Sequence, residues 1–464
     1  MSSNAPARRR AGREDLAIAL LAAGAVVVTL ILRVAAARGL PLTLDETFTA
    51  VITSQSRLAD FLREARRDVA APLYYTILWL LPRASSDTAL RLPSWLFMIA
   101  AAALPLIWRV PGQSRAAAIA WGALLFLWLP GAIFATQARP YALLFLVATA
   151  QTIAFARLID RPTLKRAFVW TACASLTILT HYMGATLGIA QGLLLVVTLR
   201  SRALKLWPSL LLLLVPVVET ITHFQVLSSV ASGDANWWPQ VTFANLSSYV
   251  VYGFGAFGLL ALMIALGSRY LRRDEPIPRS AAIASLAGVL ALAMLIVAGW
   301  GRSLIVDRYL TGCAPALMLA LVTVASGAAA RLALVGLAGA VALYAAIAEP
   351  IEVRETSMEW AAQQLVPFRP QSLKFSLGYK GQHTLALETR AKLGEYFFRR
   401  AGVPTKAELV TTLDGRELVR AAGSDSAVIW IFYPAWQPVA DSIARSRRCF
   451  VRPLQLACPA LRSR

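Results

Sequence analysis

The stretch Pro72-Leu73-Tyr74-Tyr75-Thr76-Ile77-Leu78-Trp79-Leu80-Leu81 decides the fold. It is almost wholly apolar, yet it is short and closed by Pro72 and Pro82. A helix that crosses a bilayer needs about 20 such residues. If this piece crosses, every later segment changes sides. If it does not, residues 33–90 form one long loop.

Its surroundings make the question worth asking. Hydrophobic residues make up 58% of the 464 positions and charged residues only 15%, against about 45–50% and about 25% in a soluble domain. Apolar runs near spanning length recur from residue 16 onward, so the chain reads as a polytopic membrane protein. The net charge of +21 does not point to nucleic acid, because most of the Arg and Lys sit in short loops between apolar runs. There the positive-inside rule and anionic lipid headgroups account for them. Many of the 13 Trp lie near segment ends, as interfacial anchors do.

Leu16 to Leu32 runs without a charge after a basic N-terminus (Arg8, Arg9, Arg10, Arg13). Ala35-Ala36-Ala37 resembles a signal-peptidase site, but the many apolar runs that follow favour an uncleaved first helix with its N-terminus in the cytoplasm. Further spanning segments are expected at 92–108, 116–134, 141–156, 167–180, 183–199, 206–225, 249–267, 281–299, 306–325 and 332–348. With 72–81 not crossing, the cytoplasmic loops carry thirteen basic residues, namely Arg109, Arg115, Arg157, Arg161, Lys165, Arg166, Arg200, Arg202, Lys205, Arg269, Arg272, Arg273 and Arg279. The opposite short loops carry Arg139, Arg302 and Arg308. Crossing would invert that bias. The expectation is therefore an all-α membrane protein of about eleven transmembrane helices, with 72–81 juxtamembrane or re-entrant in the first outer loop, 33–90. Within that loop Ser54 to Arg67 spaces Leu58, Phe61, Leu62 and Ala65 as in a helix lying on the membrane surface.

Two domains are expected, 1–349 in the membrane and 350–464 outside it. Residues 351–464 hold 17 Lys+Arg and 10 Asp+Glu, so this part faces water. Ala427 to Tyr433 reads as a buried strand, with helices at Leu385 to Arg400 and Pro438 to Arg445. An odd number of crossings puts this small α/β domain on the extracytoplasmic side. Cys449 and Cys458 can pair if it lies there; their spacing alone leaves that open.

Polar clusters gather at the outer ends of the expected helices: Asp45-Glu46; Asp68 with Tyr74 and Tyr75; Thr136-Gln137-Ala138-Arg139-Pro140-Tyr141; Thr180-His181-Tyr182; and Asp307-Arg308-Tyr309. Any one of these alone is more often a cap, a packing residue or an interfacial anchor. Several on one membrane face make a site.

The order Leu44-Asp45-Glu46, then Asp68-Val69-Ala70-Ala71-Pro72-Leu73-Tyr74-Tyr75, then Ala89 to Phe97, then Gln137 to Phe145, then Thr180-His181-Tyr182, then Asp307-Arg308-Tyr309-Leu310 to Pro315 resembles the GT-C superfamily. The nearest likeness is to the bacterial branch of polyprenyl-phosphate-sugar-dependent glycosyltransferases related to protein O-mannosyltransferases and the lipid A aminoarabinose transferase. The resemblance covers about residues 14–325. It implies a bacterial inner-membrane enzyme moving a sugar from a polyprenyl-phosphate donor to an acceptor hydroxyl on a glycolipid, cell-envelope glycan or protein. It also implies Asp45 as catalytic base and Glu46 beside it, orienting groups or binding a cation. Asp68, Tyr74, Tyr75, Arg139, Tyr141, His181, Arg308 and Tyr309 are then substrate-binding, with Arg66 or Arg67 as further phosphate partners.

Two positions depart from the pattern: Ala70 stands where the family usually has His, and Gln137 where it often has an acid. A divalent cation is therefore doubtful, with Asp45, Glu46, Asp68 and His181 as the residues left to hold one. The alternatives are a lipid or solute transporter, a scaffold that recruits partners through the tail, and a non-catalytic relative. A transporter usually carries its charges near mid-membrane and in repeated halves, and a scaffold leaves the acidic pair unexplained.

Overall fold

The computed structural model describes residues 5–68, 70–82, 84, 86–128, 137–231, 241–246, 258–272, 275–300, 307–348, 357–377 and 387–461. Helix α1 (Ala5–Ala37) leads to three short helices, α2 (Leu44–Thr53), α3 (Leu58–Ala65) and α4 (Leu73–Leu80). Then come α5 (Asp87–Ile107), α6 (Arg115–Leu127), α7 (Tyr141–Asp160), α8 (Leu164–Thr180), α9 (Ala185–Leu199), α10 (Leu214–Thr222) and α11 (Phe224–Ala231). The membrane part closes with α12 (Gly258–Leu271), α13 (Arg279–Gly299), α14 (Ala314–Val324) and α15 (Ala328–Ala348).

Helix α4 has eight residues, or about 12 Å at 1.5 Å each, against a hydrocarbon core of about 30 Å. It does not cross. Tyr74, Tyr75 and Leu78 are buried on its inner side while Leu80 lies bare. Helix α3 turns Phe61 and Ala65 inward and leaves Leu58 and Leu62 exposed, the arrangement of a helix lying on a bilayer.

Among the described residues, six helices are long and apolar enough to cross a membrane: Glu14–Ala37, Asp87–Ile107, Tyr141–Asp160, Tyr182–Leu199, Arg279–Gly299 and Ala328–Ile347. Every one of the eleven segments marked in the sequence contains a helix, though several are shorter than expected. Part of 116–134 and all of 249–257 lie outside the described residues. Leu20, Ile107, Val197, Val297 and Ile347 stand bare on the outside, as a lipid solvent requires and water would penalise.

Inside the bundle small residues let backbones approach. A Cβ at Gly288 would meet the Cβ of Ala316 at 2.6 Å, and one at Gly122 would meet the carbonyl oxygen of Ala102 at 2.4 Å. Buried polar groups tie helices together. Trp121 donates to the Pro315 carbonyl at 3.0 Å. Gln191 accepts from Gln151 at 2.9 Å and from Trp170 at 2.6 Å, linking α7, α8 and α9.

The tail is a five-stranded sheet in the order β2-β1-β3-β5-β4, formed by β1 (Ser372–Ser376), β2 (Lys406–Leu409), β3 (Ala427–Ile431), β4 (Phe450–Arg452) and β5 (Gln455–Cys458). The β1 strand is parallel to β2 and β3; β5 is antiparallel to β3 and β4. Cys449 and Cys458 form a disulfide. Helix α16 (Glu359–Leu365) and helices α17 (Leu387–Arg400), α18 (Gly415–Ala422) and α19 (Gln437–Arg447) cover the sheet. The helices read from the sequence are present; four of the five strands are additions to that reading.

This domain is not hung on a free linker. Phe375, Phe397 and Phe398 share one apolar core with Leu42, Phe61, Tyr74 and Tyr75 of the first loop. Lys392 reaches the fully buried Glu64, and Arg400 pairs with Asp87 at 2.5 Å. The expected boundary at 349–350 lies outside the described residues, and the first loop packs with the tail.

Candidate active site

The acidic pair splits into two different roles. Thr43 caps α2: its hydroxyl accepts from the Glu46 N–H at 3.2 Å, and its own N–H donates to Glu46 at 2.9 Å. This reciprocal capping box rotates the Glu46 carboxylate inward, where it is fully buried. There Arg91 of α5 grips both oxygens, Nε to Oε1 at 2.6 Å and Nη2 to Oε2 at 2.7 Å. Arg91 also donates to the Leu40 and Pro41 carbonyls, each at 2.9 Å. The Ala138 N–H completes the set on Glu46 at 2.9 Å. Glu46 thus clamps α2, the start of α5 and the Ala138-Arg139 loop, with no oxygen left for a ligand. Of the two roles expected for it, the geometry fits orienting neighbours and not cation binding.

Asp45, one residue earlier, points the other way. Its carboxylate is 41% exposed and accepts from Arg308 Nη1 at 2.8 Å. Burial works to raise its pKa, but Arg308 and Arg139 outweigh that and hold it below the ordinary 3.8. Asp45 is thus an ionised carboxylate at an open surface.

Arg139 is buried behind it. One Nη1 donates to the Asp45 backbone carbonyl at 3.3 Å, to Asp68 at 3.2 Å and to the Tyr75 hydroxyl at 3.0 Å. Tyr75 in turn donates to Asp68; burial pushes its pKa well above 10.0, so it keeps the proton it donates. The buried Nε of Arg139 and that of Arg308 meet no acceptor among the described residues. Tyr74 is one shell away, bonded to Ser94 at 3.0 Å, and holds α4 against α5.

Aromatic rings make the remaining wall. Arg308 lies over the Tyr141 ring at 5.9 Å. His181 sits between Tyr309 and Tyr141, with centroids at 5.0 and 5.8 Å. Its Nδ1 accepts from the Met183 N–H at 3.3 Å. Burial, then Arg308 and Arg139, lower its pKa to about 3, so His181 is a neutral packing ring at neutral pH.

The structure therefore brings together Asp45, Asp68, Tyr75, Arg139, Tyr141, His181, Arg308 and Tyr309. Tyr74 and Glu46 lie behind that surface. Arg67 turns to Glu64 at 3.2 Å, and Arg66 is exposed. Thr136 and the Asp307 side chain lie outside the described residues. The cation set considered from the sequence does not assemble. Glu46 belongs to Arg91, Asp68 to Arg139 and Tyr75, and no three His, Cys, Asp or Glu side chains converge among the described residues. A separate cavity of about 400 Å³ lies beyond the far end of α2, between Thr53, Asp87, Leu90 and Arg400.

Arg91 was inside a quoted motif but was not singled out. Its lone charge within the stretch Ala89 to Phe97 is the signal the sequence offers.

These features define a class: a polytopic helical membrane protein with short helices in its first long loop and a small α/β domain packed on them. Among solved structures the chain is similar to ArnT from Cupriavidus metallidurans in its apo state, with a TM-score of 0.58 and 14% identity over 94% of this chain and 96% of that one. The same ArnT bound to undecaprenyl phosphate gives a TM-score of 0.55 and 14% identity over 94% and 97%. No family model matches the chain, and no curated protein sequence does.

Proposed function

We propose that the protein is a membrane glycosyltransferase that moves a sugar from a polyprenyl-phosphate donor to an acceptor hydroxyl on the extracytoplasmic face of a bacterial inner membrane. The acceptor is a glycolipid, a cell-envelope glycan or a protein. The observation that carries this reading is the open Asp45–Arg308 pair, backed by Arg139, with an Nε–H on each arginine that meets no acceptor among the described residues. The fold shared with ArnT, solved with undecaprenyl phosphate, supports the donor class.

A half-exposed ion pair is worth only about 0–1 kcal/mol, so an incoming phosphate can take Arg308 at little cost. That exchange frees the Asp45 carboxylate. The acceptor oxygen then bonds to the anomeric carbon and its proton passes to Asp45, while the bond from that carbon to the phosphate oxygen breaks. The departing polyprenyl phosphate keeps the electron pair. Its growing charge is met by Arg308 and Arg139, so no proton donor is needed on the leaving side. Isolated membranes carrying the protein, supplied with polyprenyl-phosphate sugars, are expected to release polyprenyl phosphate faster than membranes without it. Equal release would contradict the reading.

The pH profile gives a second test. A base held below 3.8 stays ionised from neutral pH down to below that value, so kcat/KM has no acid limb above about pH 4 from Asp45. In Arg308→Met the largest lowering influence is gone and burial is opposed by Arg139 alone. The pKa of Asp45 rises, and an acid limb is expected to move to higher pH. A profile unchanged in shape would argue against Asp45 as the titrating base.

Topology belongs to the same proposal, with the N-terminus inside and the tail outside. The Cys449–Cys458 disulfide supports it, since such bonds persist in oxidising compartments. A reporter fused after residue 115 is expected to signal from the cytoplasm; a periplasmic signal would overturn the eleven-helix arrangement.

A further inference from the structure

One buried histidine stands outside the motif clusters. His223 follows α10 and is 2% exposed. Its Nε2 lies 2.6 Å from the Arg66 backbone carbonyl, and its Nδ1 lies 2.7 Å from the Tyr182 hydroxyl. A carbonyl can only accept, so Nε2 carries the hydrogen. With Nδ1 unprotonated in the neutral ring, its lone pair accepts the Tyr182 O–H.

Both partners adjoin the site. Arg66 is the C-cap of α3, where helix carbonyls lack intrahelical partners. Two residues later Asp68 receives Arg139 and Tyr75. Tyr182 directly follows His181, which packs on Tyr309 and Tyr141. From the other side, Glu64 in the last turn of α3 is held by Lys392 of the tail. We infer that His223 is a positioning residue: through its two ring nitrogens it pins the Arg66–Asp68 turn to the Thr180-His181-Tyr182 segment, and so fixes the Asp68 carboxylate that orients Arg139.

This inference rests on the proposed transfer activity for its kinetic arm only. A displacement of about 1 Å at a positioning contact can cost up to a hundredfold in rate. His223→Leu is therefore expected to lower kcat/KM about tenfold to a hundredfold. His223→Gln, whose amide offers one donor and one acceptor, is expected to recover most of that. Combined with Asp68→Asn, His223→Leu is expected to cost little more than Asp68→Asn alone, because both act on one chain of contacts. Fully additive losses, or failure of His223→Gln to exceed His223→Leu, would overturn the assignment. Amide hydrogen exchange in the purified full chain gives the activity-independent arm. Residues 66–68 are expected to exchange faster in His223→Leu and near wild-type in His223→Gln; unchanged exchange in His223→Leu would overturn the tether. If the wild-type protein transfers no sugar, the functional proposal fails, and exchange alone decides on His223.

Discussion

Asp45→Asn is expected to abolish most sugar transfer, with a loss of roughly a hundredfold to ten-thousandfold, while leaving the protein folded in the membrane. The first part follows from chemistry. An amide cannot accept the proton of an attacking hydroxyl, and general-base assistance is worth about that factor. The second part follows from exposure. Asp45 is 41% exposed and its partner Arg308 31%, so losing the pair costs about 0–1 kcal/mol. Thr43, Glu46 and Arg91, which fix the start of α2, do not depend on it. The check is transfer from a polyprenyl-phosphate donor in membranes holding equal amounts of wild-type and variant protein. Transfer that survives intact in Asp45→Asn removes the base assignment.

Arg91→Met is expected to do the reverse and damage the fold first. It strips Glu46 of the cationic partner that holds both its oxygens while that carboxylate is fully buried. It also orphans the Leu40 and Pro41 carbonyls. Breaking one side of a buried pair costs about 3–5 kcal/mol. The thermal midpoint of the purified protein should fall clearly, and activity should fall with it, because Glu46 also holds the Ala138 N–H beside Arg139. Arg308→Met, an arginine loss in the same region, should leave the midpoint nearly unmoved. Equal midpoints for Arg91→Met and wild type would show that the clamp is not structural.

The difference between these two arginines also marks what was legible in the sequence. Spanning segments and the short α4 were legible because hydropathy, length and loop charge are local properties. The motif order placed Asp45, Arg139 and Arg308 together, though they are far apart along the chain. What was not legible is how adjacent carboxylates divide. Asp45 and Glu46 differ only in which side of α2 they face, and that is set by the capping box and by Arg91, 45 positions away. His223 was hidden for a similar reason: its partners are a backbone carbonyl and a tyrosine, neither of which leaves a spacing. In the tail, β3 showed as the apolar run Ala427 to Tyr433, whereas β4 and β5 are three and four residues long and show no alternation to read. The Cys449–Cys458 pair, which spacing alone leaves open, is brought together by the Phe450–Ala457 register.

The central claim, that Asp45 serves sugar transfer from a lipid phosphate, is tested most directly in membranes. Polyprenyl-phosphate-linked sugars would be extracted from cells that lack the protein, that make the wild type, and that make Asp45→Asn, and then quantified by mass spectrometry. One lipid-linked sugar is expected to accumulate without the protein, to fall when the wild type is restored, and to stay high with Asp45→Asn. The same lipid-linked pool in all three strains, or a pool lowered equally by Asp45→Asn and wild type, would contradict it.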